Sequence, residues 1–201
     1  MKFSYALRKV ALAAIFVVPA GRADADVNAE AQALLQKVEN AYKTAATFSV
    51  NGQYEDVMQT AMPVKLTGTF KILFSRPSLV RVDWTDTQFG GEVVTSSIFT
   101  QDNTIYLLMG QLQKWSAQKD MEMGLSTAAG ISHGITYAIP SLLRGQAGYY
   151  AFTSLQPPMR GTLNGRDCVF LTGTRPTQGK VELAIDPDSD AILQEKTTQV
   201  I

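Results

Sequence analysis

Three clusters in this 201-residue chain have the residue types and spacing for chemistry. Gly130-Ile131-Ser132-His133-Gly134 matches G-x-S-x-G, the turn that presents a nucleophilic serine in many hydrolases. That turn needs a strand before it, a helix after it and a histidine late in the chain as its base. His133 is the only histidine and adjoins the serine, so the order Ser…Asp…His cannot be built. Asp186, Asp188 and Asp190 alternate as in a calcium loop. Such a loop wants Gly at its sixth position and Glu at its twelfth, where Ala191 and Thr197 stand, so the stretch reads as a solvated hairpin turn. Cys168 is the sole cysteine; it alternates with Phe170, faces an interior and reads as inert packing. The sequence has no glycine-rich phosphate loop and no zinc spacing. The expectation is a protein that is not an enzyme and needs no cofactor and no metal.

The elements around these clusters are mostly strands. Leu66 to Trp84 reads as a hairpin. Leu66, Phe70, Ile72 and Phe74 share one parity, and Val80, Val82 and Trp84 share one parity on the return. Arg76-Pro77 makes the turn, because Pro77 fixes its own φ and pushes Arg76 out of helical geometry. A hairpin cannot bury its apolar side alone, so a helix, a second sheet or a ligand must cover it. Before it, Ala31, Leu34, Leu35, Val38, Ala41 and Tyr42 form a helical stripe with Asn28 as N-cap. Strands are expected over Phe48–Thr60, Val93–Thr100, Ile105–Met109 and Leu112–Ala117. The stretch Asp120–Gly145 changes to helical spacing through Ile131, Ile135, Ala138, Ile139, Leu142 and Leu143. Gly130, Gly134 and Pro140 break it into two short helices or one kinked segment. Met121 and Met123 precede it and suit a surface that adapts to apolar partners. Strands resume over Tyr149–Leu155, Asp167–Thr172, Lys180–Ile185 and Ala191–Val200. The fold class is α+β, mainly β: roughly ten antiparallel strands that must curl strongly or close around the apolar segment at 131–143.

Charge and leader narrow the setting. Lys2, Arg8 and Lys9, the apolar run Val10–Val18 and Ala23-Asp24-Ala25 have the layout of a secretory signal peptide, cleaved after Ala25. Residues 26–201 then form a single domain, long enough for its own core without disulfides. Removing Lys2, Arg8, Lys9, Arg22 and Asp24 from 18 cations and 18 anions leaves 14 against 17. That mildly acidic remainder, without a basic run, argues against nucleic acid as a partner.

Four features together carry a resemblance: an exported N-terminal helix, G-x-F-x-x-x-x-x-R-P-x-x-x-R ending in an aromatic, a turn followed by T-I-Y, and a small apolar helix before V-F-L-T and V-E-L-x-I-D strands. The mature chain, about 30 to 200, resembles the periplasmic lipoprotein-carrier superfamily, the LolA-like proteins, and their uncharacterised exported relatives. The resemblance implies a strongly curved, incomplete antiparallel barrel with an N-terminal helix and short lid helices in its concave face. It implies a periplasmic carrier of a lipid, such as the acyl chain of a lipoprotein, with transient membrane contact and envelope proteins as partners. Phe70, Ile72, Phe74, Val80, Val82, Trp84, Ile135, Ile139, Leu142 and Leu143 would line the apolar cavity. Arg76 matches the arginine that contacts the lid and sets open against closed. Val80 stands where the carriers usually have an aromatic. The carriers' further C-terminal element has no counterpart before Ile201, so an apolar cavity is expected rather than one-way lipoprotein handover. The alternative is a non-catalytic envelope interaction module whose interior is an ordinary filled core.

Overall fold

The computed structural model describes residues 28–58, 64–87, 91–146, 150–176 and 179–198. The expected signal peptide, 1–25, lies outside them. α1 (Ala29–Thr44) starts where Asn28 Oδ1 accepts the Ala31 amide at 3.0 Å. Glu30 in its first turn and Lys43 in its last both oppose the helix dipole favourably. It buries Ala31, Leu35, Val38 and Tyr42, the stripe that the spacing predicts.

Six strands follow as a meander: β1 (Thr47–Met58), β2 (Val64–Ser75), β3 (Leu79–Thr87), β4 (Val93–Gln101), β5 (Thr104–Met109) and β6 (Lys114–Gln118). Each pairs antiparallel with the next. The helical interruption is α2 (Met121–Ala129), a run of turns, and α3 (Ala138–Leu143). The chain then enters a second sheet, ordered β11-β10-β9-β7, with β8 also on β9. Its strands are β7 (Ser154–Leu155), β8 (Met159–Leu163), β9 (Arg166–Arg175), β10 (Gly179–Ile185) and β11 (Ile192–Thr198). Both antiparallel sheets stay open, as the expected incomplete barrel requires, but the strands divide six and five instead of forming one sheet.

Three boundaries depart from the sequence reading. The strand expected from Leu112 begins at Lys114, because Gly110–Leu112 coils into a 3₁₀ turn and Gln113 takes φ 49°. The strand expected over Tyr149–Leu155 shortens to Ser154–Leu155. β8 lies in a stretch without clear alternation, and Gly161 sits in its middle. A side chain at Gly161 would come within 2.8 Å of the Phe170 ring, so pairing with β9 there requires glycine.

One core joins both sheets and the helices. Leu155, Leu171, Val181, Leu183 and Ile185 from the second sheet meet Ile72, Val82, Ile98 and Leu107 from the first through α1, α2 and α3. Burying each such side chain contributes about 1.5–3 kcal/mol. α1 is also hydrogen-bonded to the second sheet. Tyr42 Oη accepts the Ile192 amide at 3.0 Å, and the Asn28 amide donates to Leu155 O at 3.2 Å.

Candidate functional site

The inner face of the six-stranded sheet is the candidate site. Register puts Val50, Ile72, Val82, Ile98, Leu107 and Ser116 in one cross-strand row. The adjacent rows hold Phe74 opposite Val80 and Phe70 opposite Trp84. Parity alone therefore places the six hairpin residues of the expected lining on one face. Ile72, Val82, Trp84, Val80 and Phe74 are all buried. Phe70 is half-buried, its ring over Gly52, where a Cβ would stand 2.2 Å from it.

The segment 121–143 covers this face. Leu125 and Ala128 of α2 and Leu142 and Leu143 of α3 are fully buried in the shared core, with Ile135 and Ile139 half-buried against it. α2 lies so close to the sheet that a Cβ on Gly124 would meet Ile105 at 3.0 Å and Ile98 at 3.1 Å. Of the residues expected to line a cavity, the six of the hairpin lie on this face, and Ile135, Ile139, Leu142 and Leu143 belong to the cover packed on it; the sequence had no way to show the cover seated. Two clefts open elsewhere. One, about 540 Å³, lies mainly on the outer face among Asn51, Gln53, Thr69, Lys71, Asp83, Thr85 and Thr95. The other, about 660 Å³, lies at the start of α2 and takes in Met121, Met123 and Arg144.

Polar groups hold the cover at its ends. Arg76 donates from Nη2 to Leu143 O at 2.7 Å and to Lys43 O, and from Nε to Ala45 O at 3.0 Å. These are carbonyls at the ends of α1 and α3, where helices leave acceptors unpaired and favour a cation. The guanidinium also lies over the Phe74 ring, 5.1 Å from its centroid. Arg76 thus joins the end of α3 to the β2–β3 turn. Near the other end, Trp84 Nε1 donates to Ile131 O at 3.2 Å.

The G-x-S-x-G stretch is part of this cover. It follows α2, not a strand, and Ser132 is fully buried with Oγ 2.9 Å from Thr136 Oγ1. The Thr136 amide donates to Ser132 Oγ at 3.2 Å, and Thr136 Oγ1 donates to Leu125 O at 3.2 Å. The network stitches the turn to α2. His133 points away from the serine: Nδ1 is 3.0 Å from Asp56 Oδ2 and Nε2 is 3.6 Å from Asp86 Oδ1. Its ring stacks on Tyr54 at 5.0 Å. Tyr54 donates to Thr85 O at 3.0 Å and also to Asp86. Burial first, then the bond to Asp86 and the charges of Asp86 and Asp56, pushes the Tyr54 phenol up. Sequence reasoning missed this corner. Its one available signal was the even parity of Tyr54 and Asp56, which puts two polar side chains on the apolar face of β1.

The other singled-out residues are structural. Asp186 accepts from the Asp188 amide at 3.1 Å, from Ser189 Oγ at 2.8 Å and from Arg166, which makes the expected hairpin turn. Cys168 is buried. No group of three or more His, Cys, Asp and Glu is arranged for a metal among the described residues.

No family model matches this chain, and no curated protein does. Among solved structures it is similar to a domain described as an outer membrane lipoprotein-sorting protein from Vibrio parahaemolyticus, at 11% identity and TM-score 0.39. That likeness covers 83% of this chain and 72% of the other. A LolA superfamily protein from Nitrosomonas europaea shares 14% identity at TM-score 0.32, over 86% of this chain and 73% of the other. The second is named for the superfamily that the sequence resembles. At these identities and TM-scores neither carries a ligand or an activity over to this chain.

Proposed function

We propose that the protein is a non-catalytic periplasmic carrier that holds a lipid or a lipidated ligand on the inner face of its six-stranded sheet. Segment 121–143 is the lid that must move to admit it. The observation that carries this reading is the contrast between face and fastening. A continuous apolar face of Phe74, Ile72, Val82, Trp84, Ile98 and Leu107 is covered by two short helices. Near its two ends that cover is tied by single side chains, Arg76 to Leu143 O and Trp84 to Ile131 O. Glycines at positive φ, Gly134 and Gly145, stand in the turns where such a cover would hinge. The face suits acyl chains, because each methylene moved from water onto it contributes about 0.8 kcal/mol. The reading includes an exported chain, acyl groups or lipoproteins as partners, and transient contact with a membrane at loading. No helix among the described residues is long and apolar enough to cross one.

The filled interior favours a second reading, an envelope interaction module. Its outer face presents Phe99, Tyr106 and half-exposed Trp115 in contact, with ring centroids 5.2 and 5.7 Å apart.

Saturable uptake of N-phenyl-1-naphthylamine separates the two. A carrier takes up about one probe per chain. Ile139→Asp, at a half-buried lid position where the fold should survive, is expected to weaken uptake at least tenfold, and Asp188→Ala on the remote turn to leave it unchanged. No uptake by the parent, or equal uptake by Ile139→Asp, contradicts the carrier.

A further inference from the structure

The lid carries the chain's only histidine, and it lands where the inner face stops being apolar. Tyr54, Gly68 and Asp86 form one cross-strand row over β1, β2 and β3, and Asp56 follows on β1. Gly68 makes this row possible. A side chain there would strike the Tyr54 ring at 2.4 Å, whereas glycine lets Tyr54 lie across β2 and reach Asp86 and Thr85 O. His133 then rests on Tyr54 with one ring nitrogen toward each carboxylate. The groups facing it are Asp56 and Tyr54 from β1 and Asp86 from β3; β2 contributes only Gly68 at that row. Among the described residues no lysine or arginine pairs with either carboxylate.

We propose that His133 is a pH-sensitive latch, which fastens the α2–α3 turn to the sheet when its imidazole is protonated and loosens when it is neutral. The inference rests on reading 121–143 as a lid. Its chemistry follows from counting donors. An imidazolium has two N–H groups, one for each carboxylate. A neutral imidazole has one, so its remaining lone pair must face a negative oxygen, which is repulsive. Nδ1 stands at hydrogen-bond distance, 3.0 Å, from Asp56 and Nε2 at ion-pair distance, 3.6 Å, from Asp86, so only a protonated ring is attracted by both carboxylates. Protonation favours the closed lid, so the fastening weakens as rising pH removes the imidazole proton. Both pairs are partly open to solvent, so the lid-opening equilibrium should change by roughly three- to tenfold and not more.

The latch and Arg76 divide the work between two ends. Arg76 holds the α3 end through Leu143 O. His133 holds the turn end, two residues beyond the Ile131 carbonyl that Trp84 grips.

Hydrogen–deuterium exchange of the 131–143 amides at pH 5 and pH 8, corrected for intrinsic exchange, tests the latch. Protection in the parent should fall roughly three- to tenfold at pH 8. His133→Asn stays neutral and tolerates the left-handed φ of 52° at this position. It should show pH 8-like protection at both pH values. Asp86→Asn offers a second variant should His133→Asn misfold, and it should reduce the pH response by about half. An unchanged pH response in both folded variants, or none in the parent, overturns the latch. Probe uptake is measured in the same samples. A pH-dependent lid in a protein that takes up no probe supports the latch and removes the carrier; uptake with a pH-independent lid does the reverse.

Discussion

Ser132 and Thr136 make one closed set of hydrogen bonds inside the lid, and removing either hydroxyl leaves a buried partner unsatisfied. Ser132→Ala should therefore destabilise the protein by about 1–2 kcal/mol. A thermal melt would check this. Arg76 is mostly exposed yet makes three bonds to carbonyls. Arg76→Gln should lower Tm by a few degrees and speed exchange of the α3 amides, since it removes about 1–2 kcal/mol of charge-assisted bonding. Asp186 gives a pH prediction. The Asp188 amide first, then Ser189 and Arg166, hold its carboxyl below the ordinary value. A depressed carboxylate stabilises the fold above about pH 4 and loses that contribution as pH falls through its lowered value. Asp186→Asn should accordingly flatten the fall of the urea midpoint between pH 4 and pH 2. An equally steep fall would place the acid sensitivity elsewhere. At this scale the sequence was partly legible. The spacing of Asp186, Asp188 and Asp190 announced a turn, and the lone His133 ruled out a triad. Its contacts with Asp56 and Asp86 were illegible, because no local pattern links residues 77 and 47 positions apart.

At the scale of elements, period-two alternation found the β2–β3 hairpin and the parity of its inner face, because a half-buried strand must alternate. α1 was legible from its stripe and its Asn28 cap. β8 was not, because Gly161 is chosen for the Phe170 ring above it rather than for strand propensity. The two short helices α2 and α3 were foreseen as a broken segment, yet Ile131 and Ile135 fall in the turns between them rather than on a helix. Apolar residues that face a sheet from turns mimic helical spacing without helical dihedrals. At Gly124, α2 lies close on the sheet, against Ile105 and Ile98. Gly124→Leu would overpack Ile98 and Ile105, at a cost of about 1–3 kcal/mol. The expected outcome is faster exchange across 121–129 with the second sheet unaffected; equal exchange in the variant and the parent would mean that α2 is not seated as described.

For the whole molecule, two open sheets share one core through three helices, and segment 121–143 covers the inner face. The sequence could place apolar residues on a face. It could not say whether a ligand or the chain itself covers them, since both satisfy the same burial. That choice is the central claim, and native mass spectrometry of the protein purified without detergent tests it most directly. The account predicts a stoichiometric lipid adduct, or one formed on adding a phospholipid, that is lost in Ile139→Asp. A bare protein mass that stays bare with added lipid would contradict it and leave the inner face an ordinary core.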